Sequence, residues 1–393
     1  MKTKQLLLNT VMAALLAAPV AGAIAQGKTG IVKIGVNETL SGKFVFVGVP
    51  PTTAIRLAVH EVNEKGFKVG DTTYKFEPII LDNRSEGSVM IANATKLIED
   101  EKVKVIFGPT LSLLANQSQE ITVPANVINI SAAGSWQGLG YLTDPKKPLL
   151  FGTQPRLDSL AKIEVDAIKQ LGAKRITYMG ADDDTTKGNM GPFLAEAKRA
   201  GIEVTQILFP YNTADFSSFV SRAKADKLEA VFLLHPQQSG PNLMRAMAEL
   251  GAMPKGLAGR AIAPAAALKL AIGKPVPFPF IAAQATPDMD YPPNAAVKAF
   301  ADKLAGTGVD LGVTKNFAFY TYDFVPMLAQ AMTKAGTVTD TAKIAAAFQT
   351  IVYQGAAGKV CFDKEMRTAI YDGAQTIVRN GKVTAKTFPS TCK

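Results

Sequence analysis

Cysteine is nearly missing from this chain of 393 residues, which has two, Cys361 and Cys392. That excludes a disulfide-dense scaffold and a four-cysteine zinc site. Histidine is as scarce, with His60 and His235 alone, so no His-rich metal site can be assembled. Charged residues make up 19% against 47% hydrophobic, which argues for a large buried core and against disorder. Gly and Pro, at 32 and 23, stand at ordinary levels, so collagen-like and low-complexity readings fail. No G-x-S-x-G, Walker A or G-x-G-x-x-G follows any expected strand. His60-Glu61-Val62-Asn63-Glu64 falls short of a zinc helix because Glu64 replaces the second histidine. Asp182-Asp183-Asp184 reads as a turn capping the next helix, since consecutive acids point in different directions. A hydrolase built on Ser131 or Ser135 with His235 would lack both the elbow and a third member. The expectation is therefore a non-enzyme without cofactor or metal.

Residues 1–25 carry Lys2 and Lys4, an apolar Leu/Val/Ala stretch and the small-x-small end Ala23-Ile24-Ala25. This is the pattern of a secretory leader cleaved after Ala25. Pro19 and the Ala-rich end disfavour an anchor, which needs about 20 strongly apolar residues. The positive charge of the remainder is dispersed, without an aromatic-interleaved basic stripe, so nucleic acid is a poor partner. In an oxidising compartment Cys361 and Cys392 are expected to pair. Such a bridge would contribute about 3–4 kcal/mol on the chain-entropy model. Two free thiols remain the alternative, because spacing does not bring Cα atoms together.

An alternation of strands and helices starts twice. IVKIGV (31–36), YKFEPIIL (74–81), VKVIFG (103–108) and VINIS (127–131) are near-continuous apolar strands, separated by helical patterns at 52–65, 86–101 and 112–122. The pattern restarts after LLFGTQP (149–155), with strands near 175–180, 202–208, 229–234, 257–259 and 278–284. Helices fall between them, including one at 264–272. Unbroken apolar strands between helices imply parallel sheets covered on both faces. Helices near 293–305, 317–335 and 340–350 follow, then short β runs at 359–362, 368–373 and 375–382, the last two read as a hairpin. Ligands of open α/β sheets sit at the carboxyl ends of strands. Here those ends read Gly108-Pro109-Thr110-Leu111-Ser112 and Ser131-Ala132-Ala133-Gly134-Ser135-Trp136. Short hydroxyls and free backbone N–H groups suit a carboxylate.

At KLIEDEKVKVIFGP (96–109) and VINISAAGS (127–135) the sequence resembles the type I periplasmic binding proteins of ABC importers, in their branched-chain amino-acid branch. IVKIGVNETLSGKF (31–44), TAIRLAVHEVNEKG (53–66) and ADFSSFVSRAKADKLEAVFL (214–233) fit the same family, and the resemblance covers about 30–380. It implies two doubly wound Rossmann-like α/β lobes, joined by three crossings near 152–156, 284–287 and 354–359, that close on one small solute. Lobe 1 would comprise 28–153 and 287–355, and lobe 2 would comprise 154–286 and 356–393. The bridge Cys361–Cys392 would then lie within lobe 2 and leave closure free. The partners implied are a small solute and an inner-membrane ABC permease. The chain is expected to be periplasmic and monomeric, and an exported sensing lobe for a signalling partner is the alternative.

The family's clamp positions correspond to Thr110, Leu111 and Ser112, then Ala133, Gly134 and Ser135. Lobe 2 departs from the family's amino-acid pattern. Lys187-Gly188 stands where Tyr-Gly is common, Gly259-Arg260 stands where an acid is frequent, and His235-Pro236-Gln237-Gln238 brings no acid. A ligand ammonium would lack a partner, so an anion other than a simple α-amino acid is expected. Arg260 is either a rim salt-bridge residue or a carboxylate fork. His235 either touches ligand or caps a strand. Trp136 either anchors its loop or stacks in the cleft. One of Phe44 and Phe46 either lines the pocket or joins the core, where Tyr320 and Tyr322 belong.

Overall fold

The computed structural model describes residues 28–210, 213–234, 239–252, 255–260, 278–284 and 286–393. The leader at 1–25, His235 and the helix expected at 264–272 lie outside the described residues.

The first lobe is built from β1 (Lys28–Glu38), α1 (Val45–Lys65), β2 (Phe67–Val69), β3 (Thr72–Asp82), α2 (Gly87–Glu99), β4 (Val105–Phe107), α3 (Ser112–Thr122), β5 (Ile128–Ser131), α4 (Ser135–Gly138) and β6 (Leu150–Pro155). β1 pairs in parallel with β3 and β4, and β5 lies parallel between β4 and β6. Alternate residues serve opposite faces. Val32, Ile34, Val36, Val105 and Phe107 face the main core, while Ile106 packs with Leu97, Val103 and Val127 on the other side. Helices Ala295–Ala305, Phe324–Ala335 and Thr341–Phe348 cover the main face. α1 starts seven residues before its expected beginning, with Pro50 and Pro51 inside it. Proline removes the bond to the carbonyl four residues earlier. Here the Phe46 carbonyl accepts the Thr314 hydroxyl instead, at 2.7 Å.

The second lobe follows as α5 (Leu157–Gln170), β7 (Arg175–Ala181), α6 (Asp184–Arg199), β8 (Glu203–Phe209), α7 (Ser217–Ala225), β9 (Ala230–Leu234), α8 (Ser239–Glu249), β10 (Gly256–Arg260) and β11 (Phe280–Gln284). Its parallel strands run β8-β7-β9-β10-β11. Ile176, Tyr178, Ala230 and Phe232 face one core, and Met179, Val231 and Leu233 face the other. Asp183 caps α6 by accepting the Thr186 N–H at 2.7 Å, the role expected of the Asp182–Asp184 run.

The C-terminal strands correct two expectations. β12 (Val352–Gly355), β13 (Gly358–Phe362) and β14 (Thr368–Ile370) extend the first sheet, with β14 parallel to β6. The hairpin is β15 (Gly373–Arg379) with β16 (Lys382–Phe388), and it joins the second sheet through β11. Its turn is Asn380-Gly381, both at positive φ, a strong two-residue hairpin signal that reading 375–382 as one strand passed over. The chain thus passes between the sheets after β6, after β11 and after β14, and residues 356–370 belong to the first lobe.

The disulfide moves with them. Cys361 on β13 is bonded to Cys392, with Cα atoms 5.8 Å apart. Cys361 sits in the first sheet, and Cys392 ends the tail that leaves the second sheet. Ser390 N–H donates to Asp372 at the third crossing, at 2.7 Å. The bridge therefore ties the two lobes together beside their connections, where it had been expected to stay within one lobe.

Candidate functional site

The two lobes meet between α4 and α6, where a Cβ on Gly138 would stand 3.5 Å from the Gly188 Cα. Beside this contact lies a cavity of about 730 Å³. The first lobe contributes Asn116 of α3 and Ser135, Gln137 and Leu139 at α4, together with Met366. The second lobe contributes Arg156 and Asp158 at the start of α5 and Lys187, Gly188 and Gly191 of α6. Nothing lies within 4 Å of where a Cβ would stand on Gly188 or Gly191, so the α6 wall is open to an occupant.

The polar groups of this cavity are held in place. Ser135 Oγ donates to Asn116 Oδ1 at 2.8 Å. Gln137 donates to the carbonyls of Gln154 and Pro155 and accepts the Leu157 N–H at 2.9 Å. It thereby clamps the first crossing from the lobe 1 side. Arg156 grips Asp158 with Nε and an Nη at 3.0 and 2.7 Å, and its other Nη reaches Asp363 at 2.7 Å. The Arg156 pair holds Asp158 below the usual carboxylate range, against a burial effect that works upward. Lys187 pairs with Asp182 at 2.8 Å, both half exposed.

Of the expected ligand residues, Ser135 is on the cavity wall. Thr110, Leu111 and Ser112 occupy the loop from β4 into α3, and Ala133 and Gly134 the parallel turn after β5. That turn is braced by Ser131, whose hydroxyl donates to the Pro109 carbonyl at 2.6 Å and accepts the Ala133 N–H at 3.0 Å. Asn129 donates to the Gly108 carbonyl at 2.6 Å. The Thr110 hydroxyl donates to Glu38, at 2.6 Å. Trp136 is fully enclosed, packed with Ala115, Ala133, Leu142 and Leu150, and its indole N–H has no partner among the described residues. The loop-anchor alternative describes this placement, because the closed ring environment leaves no face toward the cavity. Phe44 and Phe46 meet edge to face, 6.4 Å between centroids and half-buried, at the first turn of α1.

Arg260 ends β10 and is neither a rim residue nor a free fork. It is 8% exposed. Its Nε and one Nη hold Glu164 of α5 at 2.7 and 2.6 Å, and the other Nη donates to Asn189 of α6 at 2.7 Å. Burial raises the Glu164 carboxyl and the Arg260 charge pulls it back. The Arg260 charge also reaches Tyr320 of the first lobe, lowering its phenol against a larger upward effect of burial.

Gln137, Arg156 and Glu38 escaped the sequence reading. Arg156, directly after the apolar run 149–155, carried the one visible signal: a charge placed where the chain leaves a buried strand. No helix of the described residues is long and apolar enough to cross a membrane.

Residues 31–382 match a family model described as periplasmic binding protein. The chain is 25% identical over 390 residues to the Leu/Ile/Val-binding protein BraC3 of Rhizobium johnstonii, covering 98% of this chain and 96% of that protein. Among solved structures, it resembles an ABC-transporter solute-binding protein of R. palustris in complex with 4-hydroxybenzoate, with TM-score 0.74 and 21% identity over 92% of this chain and 98% of that one. It also resembles the branched-chain amino acid transporter substrate-binding protein LivJ of Streptococcus pneumoniae in complex with isoleucine, with TM-score 0.71 and 20% identity over 91% and 99%.

Proposed function

Because the chain belongs to the periplasmic binding protein family, we propose that it captures a small carboxylate-bearing organic solute between its lobes and hands it to an inner-membrane ABC permease. It does so as an exported monomer, after cleavage of the leader behind Ala25. The observation that carries this reading is what the cavity offers a ligand ammonium. Arg156 and Lys187, paired with Asp158, Asp363 and Asp182, stand on one wall, Asn116 and Ser135 bring neutral polar groups to the other, and Asp158, the carboxylate of the described lining, is taken by Arg156 and the Ser159 N–H. A ligand ammonium would have to be buried without its own carboxylate, which costs several kcal/mol.

In this reading Thr110, Leu111, Ser112, Ala133, Gly134 and Ser135 receive the carboxylate from the first lobe. Arg260 orders the facing edge of the second lobe through Glu164 and Asn189. Closure follows because contacts to both lobes exist only in the closed state, and only such a difference shifts the equilibrium. The solved relative with 4-hydroxybenzoate supports an aromatic acid as the solute.

A thermal-shift panel of aromatic acids, aliphatic acids and amino acids tests it. A true solute at about 100 times its Kd should stabilise the protein by about 2.7 kcal/mol. Stabilisation by organic acids and not by leucine, isoleucine or valine is expected. Stabilisation by the amino acids alone would favour the second reading, a branched-chain amino-acid binder like BraC3. A panel without any stabiliser would remove both.

A further inference from the structure

Glu38 ends β1 directly beneath the loop that leads from β4 into α3, and its carboxyl is fully buried. Oε2 accepts the N–H groups of Thr110 at 3.0 Å and Thr39 at 3.4 Å, and Oε1 accepts the Thr110 hydroxyl at 2.6 Å. Gly108, at φ +85°, makes the room, since a Cβ there would stand 2.6 Å from Oε1. No described cation offsets the charge. The β4 loop, the first turns of α1 and the end of β5 bring no titratable side chain. Asp82, opposite on β3, is engaged by Ser41 and the N–H groups of Leu40 and Arg84. Lys43 and Arg84 are exposed.

We propose that Glu38 is a positioning residue that sets the hydrogen-bond polarity of Thr110, and that capture of an anionic solute draws one proton from water onto Glu38. This rests on the reading of Thr110 as a ligand contact. Both partners of Oε2 are N–H groups, which cannot accept, so an added proton must sit on Oε1. The partner of Oε1 is a hydroxyl, which can reverse from donor to acceptor. With Glu38 ionised, the Thr110 hydrogen points inward and its lone pairs face outward, against an anion. With Glu38 protonated, Oε1–H donates to Thr110, whose own hydrogen is released toward the solute. One O–H bond forms on Glu38 as hydronium or the buffer acid gives up a proton and its own bond to it, and no other covalent bond changes. Burial supports this by raising the carboxyl to about 7, so the proton is available near neutral pH.

The test is calorimetric titration of the full chain with benzoate at pH 6 and pH 8, in buffers of different ionisation enthalpy. Benzoate stays ionised across this range, as ordinary carboxylates do. The wild type should bind about tenfold more tightly at pH 6 and take up close to one proton per benzoate at pH 8. E38Q, whose amide donates to Thr110 as the protonated acid does, should bind equally at both pH values, without proton uptake. T110V should weaken binding at both. Equal wild-type affinity at both pH values without proton uptake, alongside a weakened T110V, overturns the proposal and leaves the site reading standing. Unchanged binding by T110V, or no benzoate binding by the wild type, overturns the site reading and the proposal with it. Should E38Q fail to fold, the wild-type pH profile and proton count decide alone.

Discussion

Each lobe buries one glutamate beside the cleft, and the two are handled in opposite ways. Glu38 in the first lobe is surrounded by neutral donors, and burial alone dominates its carboxyl. Glu164 in the second lobe is held by the guanidinium of Arg260, itself fixed by Asn189. The contrast separates two uses of a buried acid. A carboxylate without a counter-charge can change its proton near neutral pH and so change the hydrogen bonds it directs. A carboxylate locked to an arginine fixes geometry and gives up that freedom.

The largest effect that can break this comparison is Glu164→Ala. Removing one partner of a buried ion pair leaves the other charge uncompensated, and a loss of about 3–5 kcal/mol in urea unfolding is expected. The double replacement Glu164→Met with Arg260→Met should recover most of that loss, because apolar residues of similar size often substitute for a buried pair. If Glu164→Ala costs less than about 1 kcal/mol, the second-lobe half of the comparison fails.

Next in size is the bridge that joins the lobes. Replacing Cys361 and Cys392 by serine, or reducing the protein, should lower stability by about 3–4 kcal/mol. Unfolding with and without reductant measures it. Unchanged stability would mean that the tail contributes nothing to holding the lobes together.

The smallest effect concerns Glu38, and its sign is specific. Its carboxyl rises from 4.5 to about 7 on folding. Between those values the native state keeps a proton that the unfolded chain has released, so stability falls as pH climbs through this window. Asp323, buried and raised from 3.8 to about 6, works in the same direction at lower pH. Glu38→Gln should remove its share of the slope and leave the protein about 1–3 kcal/mol more stable than wild type at pH 8. Equal pH dependence in both proteins would show that Glu38 carries no such penalty.

The strand and helix order was legible because buried parallel strands read as unbroken apolar runs, as IVKIGV and VKVIFG do. The hydroxyl-rich ends of β4 and β5 were legible for the same reason, since they follow those runs directly. Legibility stopped where a residue's meaning depends on distant partners. Glu38 falls just beyond the apolar run IVKIGV and gave no signal of its own, because its partner Thr110 lies 72 residues away. Arg260 read as a rim salt-bridge residue or a carboxylate fork, and its buried partner Glu164 was not visible because it stands 96 residues before it. The disulfide was readable as a pair, but its lobe was not. Asn380-Gly381 sets the hairpin at 373–388, where 368–382 was expected, and leaves Cys361 on the first sheet. Pro50 and Pro51 masked the start of α1 because the compensating hydroxyl comes from Thr314.

The most direct measurement is a carbon-13 NMR titration of the Glu38 and Glu164 carboxyl groups, free and with benzoate. Glu38 should titrate near 7 in the free protein and hold its proton to higher pH once benzoate is bound. The Glu164 carboxyl, raised by burial and drawn back by Arg260, should be unmoved by benzoate. A Glu38 carboxyl already ionised at pH 6, or one that benzoate leaves unchanged, would contradict a proton-taking role for Glu38.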